Sequence, residues 1–237
     1  MPGVEVVEER AFNFCDALTD VECGKLEIIK ESAFSYCTSL RSINLPSARI
    51  IEELAFEECD LTDVKFGNKL ERIEDTAFNY CLNLERITMP LKDGVRTMLG
   101  LFKGCHDLNH ADLVGGELLN EFVEALIFED WRNDIKEEIN SINRIFPETP
   151  AGDVDDEFAI SPKARAIKRW IRSLLRKLVH YKAEHQRLLD ETETTLQLAL
   201  PQEIVRNIIP FLELSPHELA VWRSYGRVVE YWHFLPC

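Results

Sequence analysis

Ala33-Phe34-Ser35-Tyr36-Cys37-Thr38-Ser39-Leu40-Arg41-Ser42-Ile43-Asn44-Leu45-Pro46 is one copy of a phrase that returns along the chain. Its opening, Ala-Phe-x-x-Cys, recurs at Ala11, Ala33, Ala55 and Ala77, and with leucine for alanine at Leu101, so successive starts lie 22, 22, 22 and 24 residues apart. So short a unit cannot bury its own apolar face. Tandem copies must stack and share one continuous core, which predicts a solenoid.

The rest of each copy keeps the same register. Cys37-x-x-Leu40-x-x-Ile43-x-Leu45 is matched by Cys15-x-x-Leu18-x-x-Val21 and by Cys81-x-x-Leu84-x-x-Ile87-x-Met89. The alternation at Ile43 and Leu45 has period two and predicts a short strand with one face inward. Ile29, Ile51 and Ile73 stand four residues before the Ala-Phe pair and supply a second inward contact before a compact turn. The third copy has lost a residue at Cys59-Asp60-Leu61 and gained one between Val64 and Ile73. The paired slip preserves the period, as a spatial constraint would require.

The pattern I-x-x-x-A-F-x-x-C-x-x-L-x-x-I-x-L-P resembles the BspA-like leucine-rich repeats, and residues 4–113 fit it in about five copies. The fifth copy, with Leu101 for alanine and Ala111 for the strand isoleucine, reads as a terminal copy. The resemblance implies a curved right-handed solenoid that binds macromolecules, without chemistry of its own.

The chain has 237 residues and a net charge of −15, of which −9 falls in residues 1–116 and −6 in 117–237. This balance disfavours nucleic acid and anionic membranes as partners. No apolar run approaches the roughly 20 residues of a membrane span, and Met1-Pro2-Gly3-Val4-Glu5 has no signal-peptide character, so a soluble intracellular protein, cytoplasmic or nuclear, is expected. Five of the seven cysteines, Cys15, Cys37, Cys59, Cys81 and Cys105, occupy equivalent places, which predicts a column with neighbours about 5 Å apart. They read as buried structural thiols. Cys105, His106 and His110 lack the further ligands of a zinc site, and no cofactor or metal is expected. No glycine-rich phosphate loop, G-x-S-x-G or H-E-x-x-H motif is present, and the expectation is a non-enzyme.

The outward strand positions give a candidate partner face of Asp20, Glu22, Ser42, Asn44, Asp63, Lys65, Arg86, Thr88, His110 and Asp112. It is polar, of mixed sign and without an aromatic anchor, and five coils make it only about 24 Å wide. Either charge and hydrogen bonds recognise a partner here or the face is solvated.

After Gly115-Gly116 the apolar period changes to three or four residues. Leu119, Phe122, Val123, Leu126, Ile135 and Ile142 predict one amphipathic helix over about 117–146. Residues 147–160, with Pro147, Pro150 and an acidic run, read as a loop. Ser161-Pro162 then opens a long helix, to about Leu198. Arg165, Lys168, Arg169, Arg172 and Arg176 form a basic stripe on it, within a stretch, 163–187, holding nine Lys or Arg and one acid. The stripe is either a solvated face or a docking surface for an acidic partner.

Leu200-Pro201-Gln202-Glu203-Ile204, with Ile208 and Leu212, resembles the opening of an F-box, which implies an adaptor of a cullin ubiquitin ligase; the Val-Ser-(Arg/Lys)-x-Trp continuation is missing. His180–His185 together with Asn207–Leu214 resembles the tail attached to BspA-like repeats in algal multigene families, which implies no activity. The expected fold class is therefore α+β: a repeat solenoid at 1–116, then an all-helical domain at 117–237 whose first helix caps the last coil. The first coil begins with no cap of its own, so a partner in a large assembly, self-association with a second copy or a missing upstream segment is expected to cover it.

Overall fold

The computed structural model describes residues 3–97, 100–146 and 161–202. The solenoid contributes nine short strands: β1 (Val6–Val7), β2 (Ile28–Ile29), β3 (Ser42–Leu45), β4 (Ile50–Ile51), β5 (Asp63–Phe66), β6 (Arg72–Ile73), β7 (Arg86–Met89), β8 (Arg96–Thr97) and β9 (His110–Leu113). They form two parallel sheets, in the orders β1-β2-β4-β6-β8 and β3-β5-β7-β9. Ile43 pairs with Val64 and Val64 with Ile87, while Ile29 pairs with Ile51 and Ile51 with Ile73, so like residues stack on like along both sheets. The isoleucines before Ala-Phe are thus strands in their own right. Two-residue strands carry no alternation by which to recognise them.

Between the sheets runs the phenylalanine column. Phe12, Phe34, Phe56 and Phe78 stack at centroid distances of 5.2, 5.3 and 5.2 Å with rings within 8° of parallel, and Phe102 follows at 6.1 Å. Phe34, Phe56, Phe78 and Phe102 are buried. The slip in the third copy is absorbed at Gly67. A Cβ there would lie 1.9 Å from the Pro46 carbonyl oxygen, so only glycine lets the extra residue pass against the preceding coil.

The helices are α1 (Gly116–Ala125), α2 (Glu129–Ile145) and α3 (Pro162–Ala199). The single helix expected over 117–146 is two. Leu126 is extended (φ −64°, ψ 139°) and its N–H bonds Val123 O, ending α1, although the apolar period continues unbroken across the gap. Ser161 stands before α3 and its carbonyl accepts the Arg165 N–H, but its hydroxyl finds no hydrogen-bond partner among the described residues.

The chain packs as two compact units, one of residues 1–114 with 140–171 and the other of 115–139 with 172–237. In the first, the opening turns of α3 close the last coil: Ala164, Ile167 and Ile171 line a small space together with Val95, Leu101 and Phe102. The cap was expected from the helix over 117–146. The side chains lining that space stand on α3, and residues 140–146 pack in the same unit as the solenoid. In the second unit, Leu119, Phe122, Val123, Leu126, Ile135, Leu174, Leu175 and Leu178 are buried. Asp134 there accepts hydrogen bonds from Lys177 at 2.9 Å and Tyr181 at 2.8 Å, and Trp131 stacks on Tyr181 at 5.1 Å.

Candidate functional site

The cysteine column has a task beyond filling volume. Each thiol donates to the carbonyl of the phenylalanine one coil earlier: Cys37 to Phe12 (3.2 Å), Cys59 to Phe34 (2.9 Å), Cys81 to Phe56 (3.1 Å) and Cys105 to Phe78 (3.1 Å). Burial pushes the Cys81 thiol up, and contact with Cys37 together with burial raises Cys59. Protonated thiols are donors and poor nucleophiles, so Cys59 and Cys81 pin register and are chemically quiet, whereas the contact with Cys59 lowers Cys37. Cys15, Cys23, Cys37, Cys59, Cys81 and Cys105 are all free. Among the described residues no group of three His, Cys, Asp or Glu could hold a metal ion, and no described helix is long and apolar enough to cross a membrane.

The two ends of this ladder differ. Leu101, Phe102, Cys105 and Leu108 of the last coil are at most 1% exposed. Lys163, itself 2% exposed, directs its ammonium at three carbonyls of that coil: Cys105 O (2.9 Å), His106 O (2.9 Å) and Leu108 O (2.6 Å). In earlier coils the carbonyl equivalent to Cys105 O, such as Cys81 O, accepts an N–H from its own coil, that of Leu84. Burial lowers the Lys163 pKa from its ordinary value. In the first coil, by contrast, Phe12, Cys15 and Leu18 are half-buried, Ala11 is exposed and Phe14 is 64% exposed. The N–H groups of Phe12, Phe34 and Phe56 donate to Ala33, Ala55 and Ala77, but the equivalent acceptor in the first coil, Ala11 O, has no donor among the described residues.

The expected strand-face residues come together on the outer side of β3-β5-β7-β9. Ser42, Asp63, Arg86 and His110 form one row and Asn44, Lys65, Thr88 and Asp112 the next, with Glu22 bridged to Asn44; Asp20 lies exposed before it. Two ion pairs lie within the face, Arg86 with Asp112 at 2.5 Å and Lys65 with Asp63 at 3.7 Å. Arg165, Arg169, Arg172 and Arg176 are exposed along α3, and Lys168 is half-buried. Of the F-box-like residues, Leu200 and Pro201 follow α3, while Glu203, Ile204, Ile208 and Leu212 lie outside the described residues, as does the acidic run of 147–160.

A second surface was hidden inside the unspecified places of the repeat phrase. The residue before each cysteine, Phe14, Tyr36, Glu58, Tyr80 or Gly104, adopts a left-handed backbone with φ of 57, 60, 49, 55 and 74°, so every coil projects this position alike. Phe14 stacks on Tyr36 at 4.6 Å. Beyond them Thr38, Glu58, Asp60, Tyr80, Leu82 and Asn83 line an open groove of about 440 Å³. The fixed register of the aromatics was the signal that could have revealed it.

Short parallel coils, two sheets and a stacked phenylalanine spine define a leucine-rich-repeat solenoid. More particularly, residues 5–121 match the family described as the BspA type leucine rich repeat region, in six copies, and this part of the chain belongs to it. A crystal structure of a leucine-rich repeat protein from Bacteroides ovatus is similar over 47% of this chain and 29% of its own length, at 29% identity and a TM-score of 0.41. The chain therefore spans less than a third of that protein. No curated protein matches the chain.

Proposed function

We propose that the chain is a non-catalytic protein-binding subunit whose open first coil is its principal contact with a larger assembly. The observation that carries this reading is the difference between the two ends of the ladder: Phe102, Cys105 and Leu108 are sealed, whereas Phe12, Cys15 and Leu18 are half-buried beside an exposed Phe14. Exposed core residues in register with unused backbone acceptors favour an added strand or coil, because both apolar area and ladder bonds become available at once. The rim carries Glu5, Glu8, Glu9, Asp16, Asp20 and Glu22 against Arg10. That charge opposes pairing with the same end of a second copy and favours a different, basic protein.

The test compares recovery of a stoichiometric complex from the native source by the wild-type chain and by an Ala11→Arg, Phe14→Arg variant of unchanged helix and sheet content. A complex held by the wild type and lost in the variant supports the reading. Equal recovery by both, or a wild-type chain that is monomeric throughout, overturns it.

A further inference from the structure

The groove beside Tyr80 has a composition unlike the rest of the solenoid surface. Tyr80 is 43% and Leu82 53% exposed, so a ring and an aliphatic side chain lie open next to the exposed carboxylate of Glu58. Asp60, on the same lining, is already engaged by Arg41 at 2.6 Å and by Asn83. Adjacent coils are about 4.8 Å apart, so Glu58 and Tyr80, one coil apart in the same place, would normally leave no room between them. Room exists because Tyr80 is drawn the other way. A Cβ on Gly104 would lie 2.5 Å from the Tyr80 ring, so the ring occupies the space that any other residue at position 104 would fill. The site is therefore an aromatic wall held open by a glycine, with a carboxylate on the same lining.

We propose that this groove receives an arginine side chain of a protein partner, with the guanidinium flat against the Tyr80 ring, its N–H fork on the Glu58 carboxylate and its methylenes along Leu82. The proposal rests on the protein-binding reading above and assigns it a specific pocket. A planar cation suits both groups at once, since its face can lie on the electron-rich ring while its in-plane N–H fork meets the carboxylate beside it. The neighbourhood has the required sign: the Tyr36 hydroxyl is raised from its ordinary value by the charges of Glu57 and then Glu58. Arg41 is committed to Asp60 of the lining.

The experiment measures fluorescence anisotropy of a labelled peptide with four Arg-Gly repeats against the full chain, beside the same peptide with citrulline, which keeps the shape and removes the charge. Binding of the arginine peptide with at least tenfold preference over citrulline is expected, weakened about tenfold by Glu58→Gln and by Tyr80→Ala. Gly104→Ala, which pushes the ring back, should weaken it similarly, whereas Glu129→Gln on α2 should leave it within twofold. Equal affinity for citrulline, or binding indifferent to both Glu58→Gln and Tyr80→Ala, overturns the proposal, as would Tyr80-dependent binding of a neutral oligosaccharide with none of the peptide. The complex from the native source separates the two levels. Its retention by Glu58→Gln and Tyr80→Ala chains together with absent peptide binding sinks the groove alone, and failure to recover it with the wild type sinks the protein-binding reading.

Discussion

Replacing Lys163 by methionine isolates what closes the solenoid, because the aliphatic stem is kept and only the donor is removed. Three carbonyls, Cys105 O, His106 O and Leu108 O, would lose donors at 2.9, 2.9 and 2.6 Å. Hydrogen bonds to a charged group contribute about 1.5–3 kcal/mol each. Against this stands the cost of keeping an ammonium out of water, several kcal/mol for a buried ion. The difference leaves a net loss of about 2–4 kcal/mol. With a urea m-value of about 2–3 kcal/mol/M, the midpoint should fall by about 1 M. Hydrogen exchange should place the weakening in the amides of Phe102–Ala111.

The pH dependence gives an independent check on the same residue. Burial sets the folded pKa of Lys163 below its ordinary 10.5, so between the folded value and 10.5 the unfolded chain binds more protons than the folded one. Stability from this group therefore rises with pH across that window. The margin of wild type over Lys163→Met should widen there. A midpoint within 0.2 M of wild type (a resolution limit of about 0.5 kcal/mol at that m-value) and a margin independent of pH would refute the assignment of Lys163 as the donor that holds the last coil.

Cys59→Ala leaves the Phe34 carbonyl without its donor and should cost about 1–2 kcal/mol in chemical denaturation, while Cys59→Ser, which keeps an O–H, should recover part of it; identical losses would deny the thiol its donor role. Gly67→Ala forces a Cβ onto the Pro46 carbonyl and should destabilise by about 2–4 kcal/mol, read as a lowered melting temperature, although one methyl is the whole change. In the second unit, burial would raise the Asp134 carboxyl, but hydrogen bonds from Lys177 and Tyr181 outweigh it and hold the group below its ordinary 3.8. Its contribution is thus present above pH 3.8 and lost as pH falls through the folded value. Acid titration by circular dichroism should show an acid limb that is shallower in Asp134→Asn, and an unchanged limb would count against the pairing.

The repeat was legible because stacked coils put one residue type in one environment over and over, and Phe34, Cys37, Leu40 and Ile43 declare it. The division at Leu126–Phe128 was not, since the apolar spacing of Phe122, Val123 and Leu126 onward to Ile135 runs through it without proline or glycine. Lys163 was concealed by its neighbours. It was counted among the basic residues of α3, yet it stands four residues before Ile167 on the apolar face, and a lysine in that phase is a buried donor more readily than a solvated charge. The groove was overlooked for a different reason: Tyr80 and Gly104 sit in places that the repeat leaves free, and their relation appears only when adjacent coils are superposed. The strand face, polar and mixed in sign, pairs charges internally through Arg86–Asp112 and Lys65–Asp63, an outcome set by lateral register rather than by composition.

In each of the first four coils two non-glycine residues hold a left-handed backbone, Arg10 and Phe14, Ser32 and Tyr36, Leu54 and Glu58, Thr76 and Tyr80, whereas the last coil uses Gly100 and Gly104. Such residues return to ordinary dihedrals as soon as their neighbours let go. Tension applied at the first coil would therefore meet a spring that helps to release each turn once the turn before it has left. At the far end, glycines with nothing to relax and a lysine gripping three carbonyls would resist. The solenoid is a ratcheted fastener, easily peeled in one direction and held in the other.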